Sequence, residues 1–315
     1  MVNASLFLLG LPLLVAAAPT NITTLSNSKS SLILAYQNNL NASDDKNHVS
    51  FILLDEMTYD NAVAGCAALG ESLVSQAEIN THQADFVESL NYFAYSGDID
   101  YHQTLWIQNE TAQASPSQIN FNANSFNGRS KNSELPALCT QSSTNNSASA
   151  TATQSNKISI SAGGNTYTGF RNLKSWRFQG IPYANPPQRF VYSTLNTKTG
   201  QTIDATAYGA ECAQPYVNNV GREDCLFLNV QTPYIPKAGK TDRLRPVMFW
   251  IHGGGFTGGT GADPGSDGGN LASKEDIVVV TINYRLSTLG FLAIPGTDIK
   301  GNFGIADQIV ALEVS

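Results

Sequence analysis

The 315-residue sequence has few charged residues and, among them, few basic ones. Charged side chains make up 14% of the residues, and 18 Lys and Arg against 25 Asp and Glu leave a net charge of −7. Because binding to nucleic acid depends on neutralising phosphates with a basic surface, this balance argues against a nucleic-acid partner. Long apolar runs are also absent: no stretch approaches the ~20 apolar residues that a membrane-spanning helix needs, so we expect no transmembrane segment.

Cysteine and histidine are scarce as well, with four of each. No C-x-x-C pair occurs, and the histidines have no metal-ligand spacing, so we expect neither a zinc site nor another cofactor. The even number of cysteines is consistent with two disulfide bonds. These cysteines are Cys66, Cys139, Cys212 and Cys225.

The first eighteen residues, 1–18, are typical of a secretory signal peptide. An apolar run from Leu6 to Val15 ends in three alanines, although no Lys or Arg precedes it. The alternative is a buried N-terminal helix. Acceptors for N-glycosylation follow, which agrees with a secreted, extracellular glycoprotein. They are Asn21, Asn41, Asn109 and Asn145.

Residues 141–156, "QSSTNNSASATATQSN", contain no large apolar side chain. Such a stretch cannot bury a core, so we expect a flexible linker that is open to O-glycosylation. It divides the chain into a unit over 45–140 and a unit over 157–315.

The unit over 45–140 alternates strand and helix patterns. "VSFILLD" predicts a strand, "TYDNAVAGCAALGESLVS" and "QADFVESLNYFAY" predict helices, and "TLWIQN" and "LPALCT" predict further strands. With its two cysteines this order resembles a C-type-lectin-like domain, although the calcium-binding tripeptide Glu-Pro-Asn is absent. The resemblance implies a Cys66–Cys139 bridge and a possible glycan partner. The alternative is an unrelated small α+β domain.

The unit over 157–315 is β-rich. "PVMFWI" and "DIVVVTINY" are short and almost wholly apolar, so we expect strands that are buried on both faces. "NFGIADQIVALE" then predicts a helix with Ile305, Ile309 and Leu312 along one stripe. Buried strands followed by a helix indicate an α/β layered sheet.

The run "IHGGGFTGGTGADPGSDGGN" (251–270) follows an apolar strand and allows two kinds of chemistry. Residues 253–258 fit G-x-G-x-x-G, and the acidic Glu275 and Asp276 stand about 20 residues further on, as a dinucleotide site requires. That site also needs a helix to begin at the glycines. Five glycines and a proline between positions 256 and 268 make a helix there unfavourable.

Acyl transfer explains the glycines better. Its tetrahedral intermediate carries a negative oxygen, and backbone N–H groups can converge on that oxygen only where no side chain intrudes. The sequence His252-Gly-Gly-Gly is the oxyanion-hole motif of esterases and lipases with the α/β-hydrolase fold. The plainer interpretation is a flexible turn, but three glycines directly after a strand exceed what a turn requires.

Five segments in order resemble the type-B carboxylesterase/lipase family, which includes secreted fungal lipases and cholinesterases. They are "GIPYANPPQRF" (180–190), "EDCLFLNV" (223–230), "PVMFWIHGGGF" (246–256), "VVVTINYRLSTLGFL" (278–292) and "GNFGIADQIVALE" (301–313). The resemblance implies an α/β-hydrolase domain, serine acyl transfer, and an ester or lipid substrate for the full-length family member.

Carried over to this chain, the resemblance makes Gly254 and Gly255 two oxyanion donors, with a third from the residue after the nucleophile. It pairs Cys212 with Cys225 in a loop near the active-site gorge. His252, which has no downstream partners, is expected to orient the loop rather than act as a base. In the "GN-x-G-x-x-D-Q" stretch, structural hydrogen bonding is expected at Asn302, Asp307 and Gln308.

The nucleophile of this mechanism is missing. No G-x-S-x-G occurs, the nearest stretch being Pro264-Gly-Ser-Asp-Gly268, and no histidine follows His252. The chain therefore resembles the front portion of an esterase, cut within a helix, and we expect it to be inactive by itself. The alternative of another class is a non-catalytic, secreted glycan- or protein-binding protein.

Overall fold

A computed structural model describes residues 24–26, 30–41, 43–121, 129–215, 221–237, 239–240 and 244–314. The predicted signal peptide, 1–18, and the acceptor Asn21 lie outside these residues. Within them, every helix is too short or too polar to reach across a bilayer.

The described chain forms strands and helices in a mixed order. In the first half the strands are β1 (Thr24–Ser26), β2 (Leu32–Tyr36), β3 (Ser50–Met57), β4 (Thr104–Ile107), β5 (Glu110–Ser115), β6 (Gln118–Phe121) and β7 (Leu135–Thr140). In the second half they are β8 (Lys157–Ala162), β9 (Asn165–Arg171), β10 (Trp176–Pro182), β11 (Thr202–Asp204), β12 (Phe227–Thr232), β13 (Tyr234–Ile235), β14 (Val247–Ile251) and β15 (Val278–Ile282). The helices are α1 (Tyr59–Ala68), α2 (Gln76–Thr81), α3 (Gln83–Ser96), α4 (Gly269–Glu275), α5 (Ser287–Phe291) and α6 (Phe303–Val314).

These strands make two sheets. One has seven strands in the order β13-β2-β3-β7-β4-β5-β6, and the other has eight, in the order β1-β8-β9-β10-β12-β15-β14 with β11 beside β9. In the larger sheet β14 and β15 run parallel, whereas β12 is antiparallel to both of its neighbours. The two mixed sheets agree with the α/β class that the sequence predicts.

The predicted elements of 45–140 are present as β3, α1, α3, β4 and β7. Phe86 and Leu90 of α3 pack on one face of the seven-stranded sheet against Phe51 of β3. On the other face, Cys66 of α1 is joined to Cys139 of β7 by a disulfide, which confirms the expected bridge.

The two sheets share one hydrophobic core. Ile52 and Trp106 of the smaller sheet belong to the same buried cluster as Trp176 and Phe178 of the larger one. The sheets also exchange strands: β13, which follows β12 in the chain, pairs with β2, whereas the N-terminal β1 pairs with β8. The seven-stranded sheet therefore takes strands from outside 45–140.

The predicted linker, 141–156, crosses between the sheets without helix or strand in the structure. Gln141 Nε2 at its start donates to Ser50 Oγ at 3.1 Å and to the carbonyl of Asn172 at 3.0 Å. Asn156 Nδ2 at its end donates to the carbonyl of Arg171 at 3.0 Å. Both ends are thus tied to strands, while the division of the chain at this segment stays a prediction.

The burial expected for the apolar strands holds for one of them only. β15 is buried from Val279 to Ile282, as its sequence predicts. β14 is not: Val247 is 50% exposed and Trp250 on its other face is 41% exposed. The prediction is wrong for β14 because, among the described strands, it ends the sheet and pairs with β15 alone.

Helix α6 is also present, but its buried face differs from the apolar stripe. Ile309 and Leu312 are more than half exposed, whereas Phe303, Asp307 and Ala311 are buried. Asp307 faces inward because it binds the buried Arg285. A buried ion pair, which periodicity of apolar residues does not reveal, sets the orientation of this helix.

Candidate functional site

The glycine-rich loop begins where β14 ends, beside the parallel strand β15. No helix starts at the glycines of 253–258; a single 3-10 turn follows at Pro264–Ser266, and the first α-helix after them, α4, begins at Gly269. A dinucleotide site needs a helix N-terminus at the first glycines to meet the pyrophosphate. The described loop offers none there.

The two predicted donors have backbone conformations that favour glycine. Gly254 has φ +114° and Gly255 has φ +59°, in the region that side chains disfavour. A Cβ at Gly254 would also overlap the carbonyl group of Gly258. Glycine is therefore a steric requirement at position 254, whereas a Cβ at Gly253 or Gly255 would meet no atom within 4 Å.

The N–H groups of Gly254 and Gly255 have no hydrogen-bond acceptor among the described residues. The carbonyl oxygen of Gly254, in contrast, accepts from the N–H of Thr257 at 3.1 Å and of Gly258 at 3.3 Å. Both donor glycines are exposed residues. Donors without a partner inside the protein are one requirement of an oxyanion hole, and convergence of the donors on one oxygen is the other.

His252 is buried under the loop and makes structural contacts. Its ring stacks on Tyr284 with centroids 4.4 Å apart, and its Nδ1 lies 2.8 Å from the carbonyl oxygen of Gly253. Because a carbonyl can only accept, Nδ1 carries the proton and Nε2 is the unprotonated nitrogen. Nε2 has no partner among the described residues. These contacts agree with an orienting role.

We expect the pKa values of His252 and His48 to be shifted in opposite directions from the ordinary value for histidine. Burial lowers the pKa of His252 below its ordinary value, whereas the hydrogen bond to Asp85, 2.7 Å away, raises the pKa of His48. The contribution of neutral His252 to stability should be lost as pH falls through its lowered pKa. That of charged His48 should be lost as pH rises through its raised pKa.

Proton NMR titration of the two imidazole rings measures this difference directly. The midpoints should fall on opposite sides of ~6.5, the value for an unperturbed histidine. Coincident midpoints would contradict the burial of His252 beneath the loop.

Further along, the loop is anchored by side chains of neighbouring strands. Gly261 donates its N–H to Asn283 Oδ1 at 2.8 Å, and its carbonyl accepts from Thr281 Oγ1 at 2.7 Å and from Asn229 Nδ2 at 3.2 Å. Asn229, Thr281 and Asn283 are not among the residues predicted from the sequence. The asparagine of "EDCLFLNV" and the "TIN" after "VVV" are polar groups at strand positions, and that is the signal that could have indicated them.

A second anchor holds the end of the loop. Arg177 of β10 binds Asp267 through two nitrogens at 2.6 and 2.7 Å, and Asp267 Oδ1 accepts from the N–H of Gly269 at 3.0 Å. The Arg177 guanidinium, outweighing burial, holds the pKa of the Asp267 carboxyl below its usual value. The loop is thus fixed near its middle and at its end, which leaves 254–256 to project.

A disulfide joins Cys212 and Cys225 beside the loop, as the resemblance implies. Two residues after Cys212, Gln214 makes hydrogen bonds with both backbone groups of Gly259. The disulfide-bonded segment therefore touches the glycine-rich loop directly.

The remaining predicted residues lie apart from the glycines. Asp307 binds Arg285, and Asn302 has φ +61° just before α6, with its carbonyl accepting from Ala306 N. Gln308 is half-buried on α6. Of the acceptors for glycosylation, Asn41, Asn109 and Asn145 are exposed. Among the described residues, no group of three His, Cys, Asp or Glu could hold a metal ion.

Comparison with known proteins identifies relatives for the second half of the chain. A model of the carboxylesterase family matches residues 154–314, which is more than half of the 315 residues. The para-nitrobenzyl esterase of Bacillus subtilis is 39% identical over 150 residues, which cover 44% of this chain and 30% of the relative. The cholinesterase of Mus musculus is 41% identical over 154 residues, covering 43% and 25%.

Solved structures of two esterases are similar in sequence to part of this chain. A para-nitrobenzyl (PNB) esterase is 38% identical and covers 47% of this chain and 32% of its own, with a TM-score of 0.41. A Geobacillus stearothermophilus carboxylesterase at pH 6.2 is 37% identical, covers 47% and 31%, and has a TM-score of 0.42. The chain spans less than a third of the length of these curated relatives.

Proposed function

This chain belongs to the carboxylesterase family, and from that premise we propose that it carries the oxyanion-hole loop of a carboxylic ester hydrolase. The observation that supports this most is the pair of N–H groups at Gly254 and Gly255, which are exposed and have no acceptor in the described chain. In serine acyl transfer, the carbonyl oxygen of the ester becomes an anion as the nucleophile attacks the carbonyl carbon. Two fixed N–H donors at that oxygen stabilise the anion more than the neutral ester, which lowers the barrier.

An apolar surface next to the donors suits an ester with a hydrocarbon part. Phe256 directly follows the two glycines, is about half exposed, and packs against Phe291 with ring centroids 4.8 Å apart. The exposed part of this pair can contact an acyl or alcohol chain while the glycine N–H groups meet the polar carbonyl. The substrate class that follows is a neutral carboxylic ester, including lipid esters.

A carboxylate product should bind at these donors. Titrating the ¹⁵N-labelled protein with butyrate at millimolar concentrations should shift the amide resonances of Gly254 and Gly255 more than those of other exposed glycines. The reason is that a carboxylate oxygen accepts hydrogen bonds where the transition-state anion would lie. Gly200, whose backbone is also at positive φ but whose N–H is bonded to the carbonyl of Gly164 at 2.8 Å, provides an internal reference for nonspecific shifts.

Butyrate shifts that are absent at 254 and 255, or equal at Gly200, would contradict the donor assignment. In the same preparation we expect no hydrolysis of p-nitrophenyl butyrate, because the sequence has no serine in a G-x-S-x-G elbow. Turnover above that of a heat-treated sample would show that another residue of this chain acts as nucleophile.

We also infer action outside the cell. Two disulfides and three exposed N-x-S/T acceptors support an oxidising, secretory route. A glycan-binding role for the seven-stranded sheet is the second candidate, supported by the Cys66–Cys139 bridge between α1 and β7. Absence of binding on a glycan array would count against it.

A further inference from the structure

The side chain of Gln214 clamps the glycine-rich loop from outside. Its Oε1 accepts a hydrogen bond from the N–H of Gly259 at 3.0 Å, and its Nε2 donates to the carbonyl oxygen of the same residue at 2.9 Å. Both polar groups of one backbone residue are therefore held by one planar amide. Gly259 cannot rotate either group away without losing a bond.

Gly259 in turn lies directly against the residues before the donors. It has φ +115°, and a Cβ there would overlap the ring of His252 and meet the carbonyl of Gly253. A Cβ at Gly254 would overlap the carbonyl group of Gly258. Residues 258–259 thus pack on 252–254 without room for a methyl group, so a shift of one segment must move the other.

The base of the clamp is itself fixed. Cys212, two residues before Gln214, is bonded to Cys225. Around it, the N–H of Ala213 donates to the carbonyl of Arg222 at 3.1 Å, and the N–H of Arg222 donates to Glu211 at 2.8 Å. A half-buried side chain on such a cross-linked segment begins from a restricted set of positions, which favours a defined hydrogen-bond geometry.

We propose that Gln214 is a positioning residue for the oxyanion donors. It touches neither substrate nor reacting atoms; it holds Gly259, and through Gly259 the turn that presents the N–H groups of Gly254 and Gly255. The inference rests on the proposed function, because it assigns Gln214 to the geometry of that same donor pair. It also gives the disulfide-bonded segment a part in the site.

Gln214→Met tests this, since methionine keeps the shape of the side chain and removes both hydrogen bonds. Protection of the Gly259 amide from hydrogen exchange should fall by roughly fivefold to tenfold. The ¹⁵N and ¹H resonances of Gly254 and Gly255 should shift without any ligand present. Gln113→Met, which removes an exposed bond to the carbonyl of His102, is the matched control and should leave these resonances unchanged.

Gln214→Glu keeps an acceptor for the Gly259 N–H. It replaces the Nε2 donor with an oxygen, which cannot donate to the Gly259 carbonyl. It should therefore restore part of the protection at Gly259 that methionine loses. This graded response separates positioning from a general loss of stability, and the glutamate variant alone decides the matter if the methionine variant does not fold. Unchanged Gly254 and Gly255 resonances in a folded Gln214 variant would overturn the proposal.

The butyrate titration keeps the two proposals distinguishable. Selective shifts in the wild type that persist undiminished in Gln214→Met would contradict the positioning role of Gln214 and would still support Gly254 and Gly255 as donors. Resonances that move in Gln214→Met while wild type ignores butyrate would support the clamp and remove its assignment to ester chemistry. Selective wild-type shifts that weaken in Gln214→Met would support both.

Discussion

Replacing Asp307 with alanine should lower the free energy of unfolding by about 3–5 kcal/mol. Both partners of its ion pair are buried: the side chain of Arg285 is 4% exposed and that of Asp307 is 0% exposed. Asp307 accepts from Nε of Arg285 at 2.9 Å, from Nη2 at 2.8 Å and from the backbone N–H at 3.0 Å. Alanine would leave a buried guanidinium without its counter-charge, and that is the costly half of breaking a buried pair.

The effect should extend beyond α6. Nη1 of Arg285 donates to the carbonyls of Gln188 and Val191, at 3.1 and 2.8 Å, so the same side chain holds the segment before β11 against the sheet. Urea denaturation followed by tryptophan fluorescence measures the change in stability. A guanidinium that moves to solvent would disrupt these two contacts as well.

Glu223→Ala is the matched control. Glu223 and Arg189 also form an ion pair between a carboxylate and a guanidinium, but their side chains are 41% and 66% exposed. Water already solvates both groups, so the midpoint of unfolding should not change measurably. Equal effects of Asp307→Ala and Glu223→Ala would show that burial does not decide the strength of the Arg285–Asp307 pair.

Local patterns in the sequence predicted the elements that depend on local physics. The helical spacing of Ala62 and Cys66 matches α1, and the apolar run "VVV" matches the buried β15. The requirement for glycine at 254 is also local, because its positive φ and the close Gly258 carbonyl arise within a few residues. Such features are set by side-chain size and backbone sterics, which can be predicted from the residue types of a short segment.

Contacts between distant segments could not be predicted in this way. The exposed β14 was expected to be buried because an apolar strand looks the same in the middle of a sheet and at its edge. The clamp of Gln214 on Gly259 joins residues 45 positions apart, and neither residue type alone indicates a partner. The exchange of β1 and β13 between the sheets likewise depends on packing of the whole chain.

A further contact between distant segments, the ion pair of Glu71 and Arg171, accounts for the second large effect that we expect. Glu71, in the turn after α1, binds Arg171 of β9 across the two sheets, and the Arg171 side chain is 0% exposed. Burial lowers the pKa of the Arg171 guanidinium, and Glu71 opposes this by favouring the charged form. Glu71 also accepts from Thr140 Oγ1 at 2.7 Å and from Ser142 N at 2.9 Å.

Glu71→Ala should therefore destabilise the protein by about 3–5 kcal/mol, because it leaves the Arg171 charge buried and unpaired. Glu71→Gln keeps an acceptor of the same shape and removes the charge. It should lower the stability less, and so separates the effect of hydrogen bonding from that of charge.

Since the sheets share a core around Trp106 and Trp176, both should unfold in one transition whose midpoint falls in either variant. Far-ultraviolet circular dichroism and tryptophan fluorescence, recorded on the same urea series, measure this. Two separate transitions, with only one shifted by Glu71→Ala, would mean that the two sheets fold independently and that the predicted division at 141–156 separates them energetically as well as in sequence.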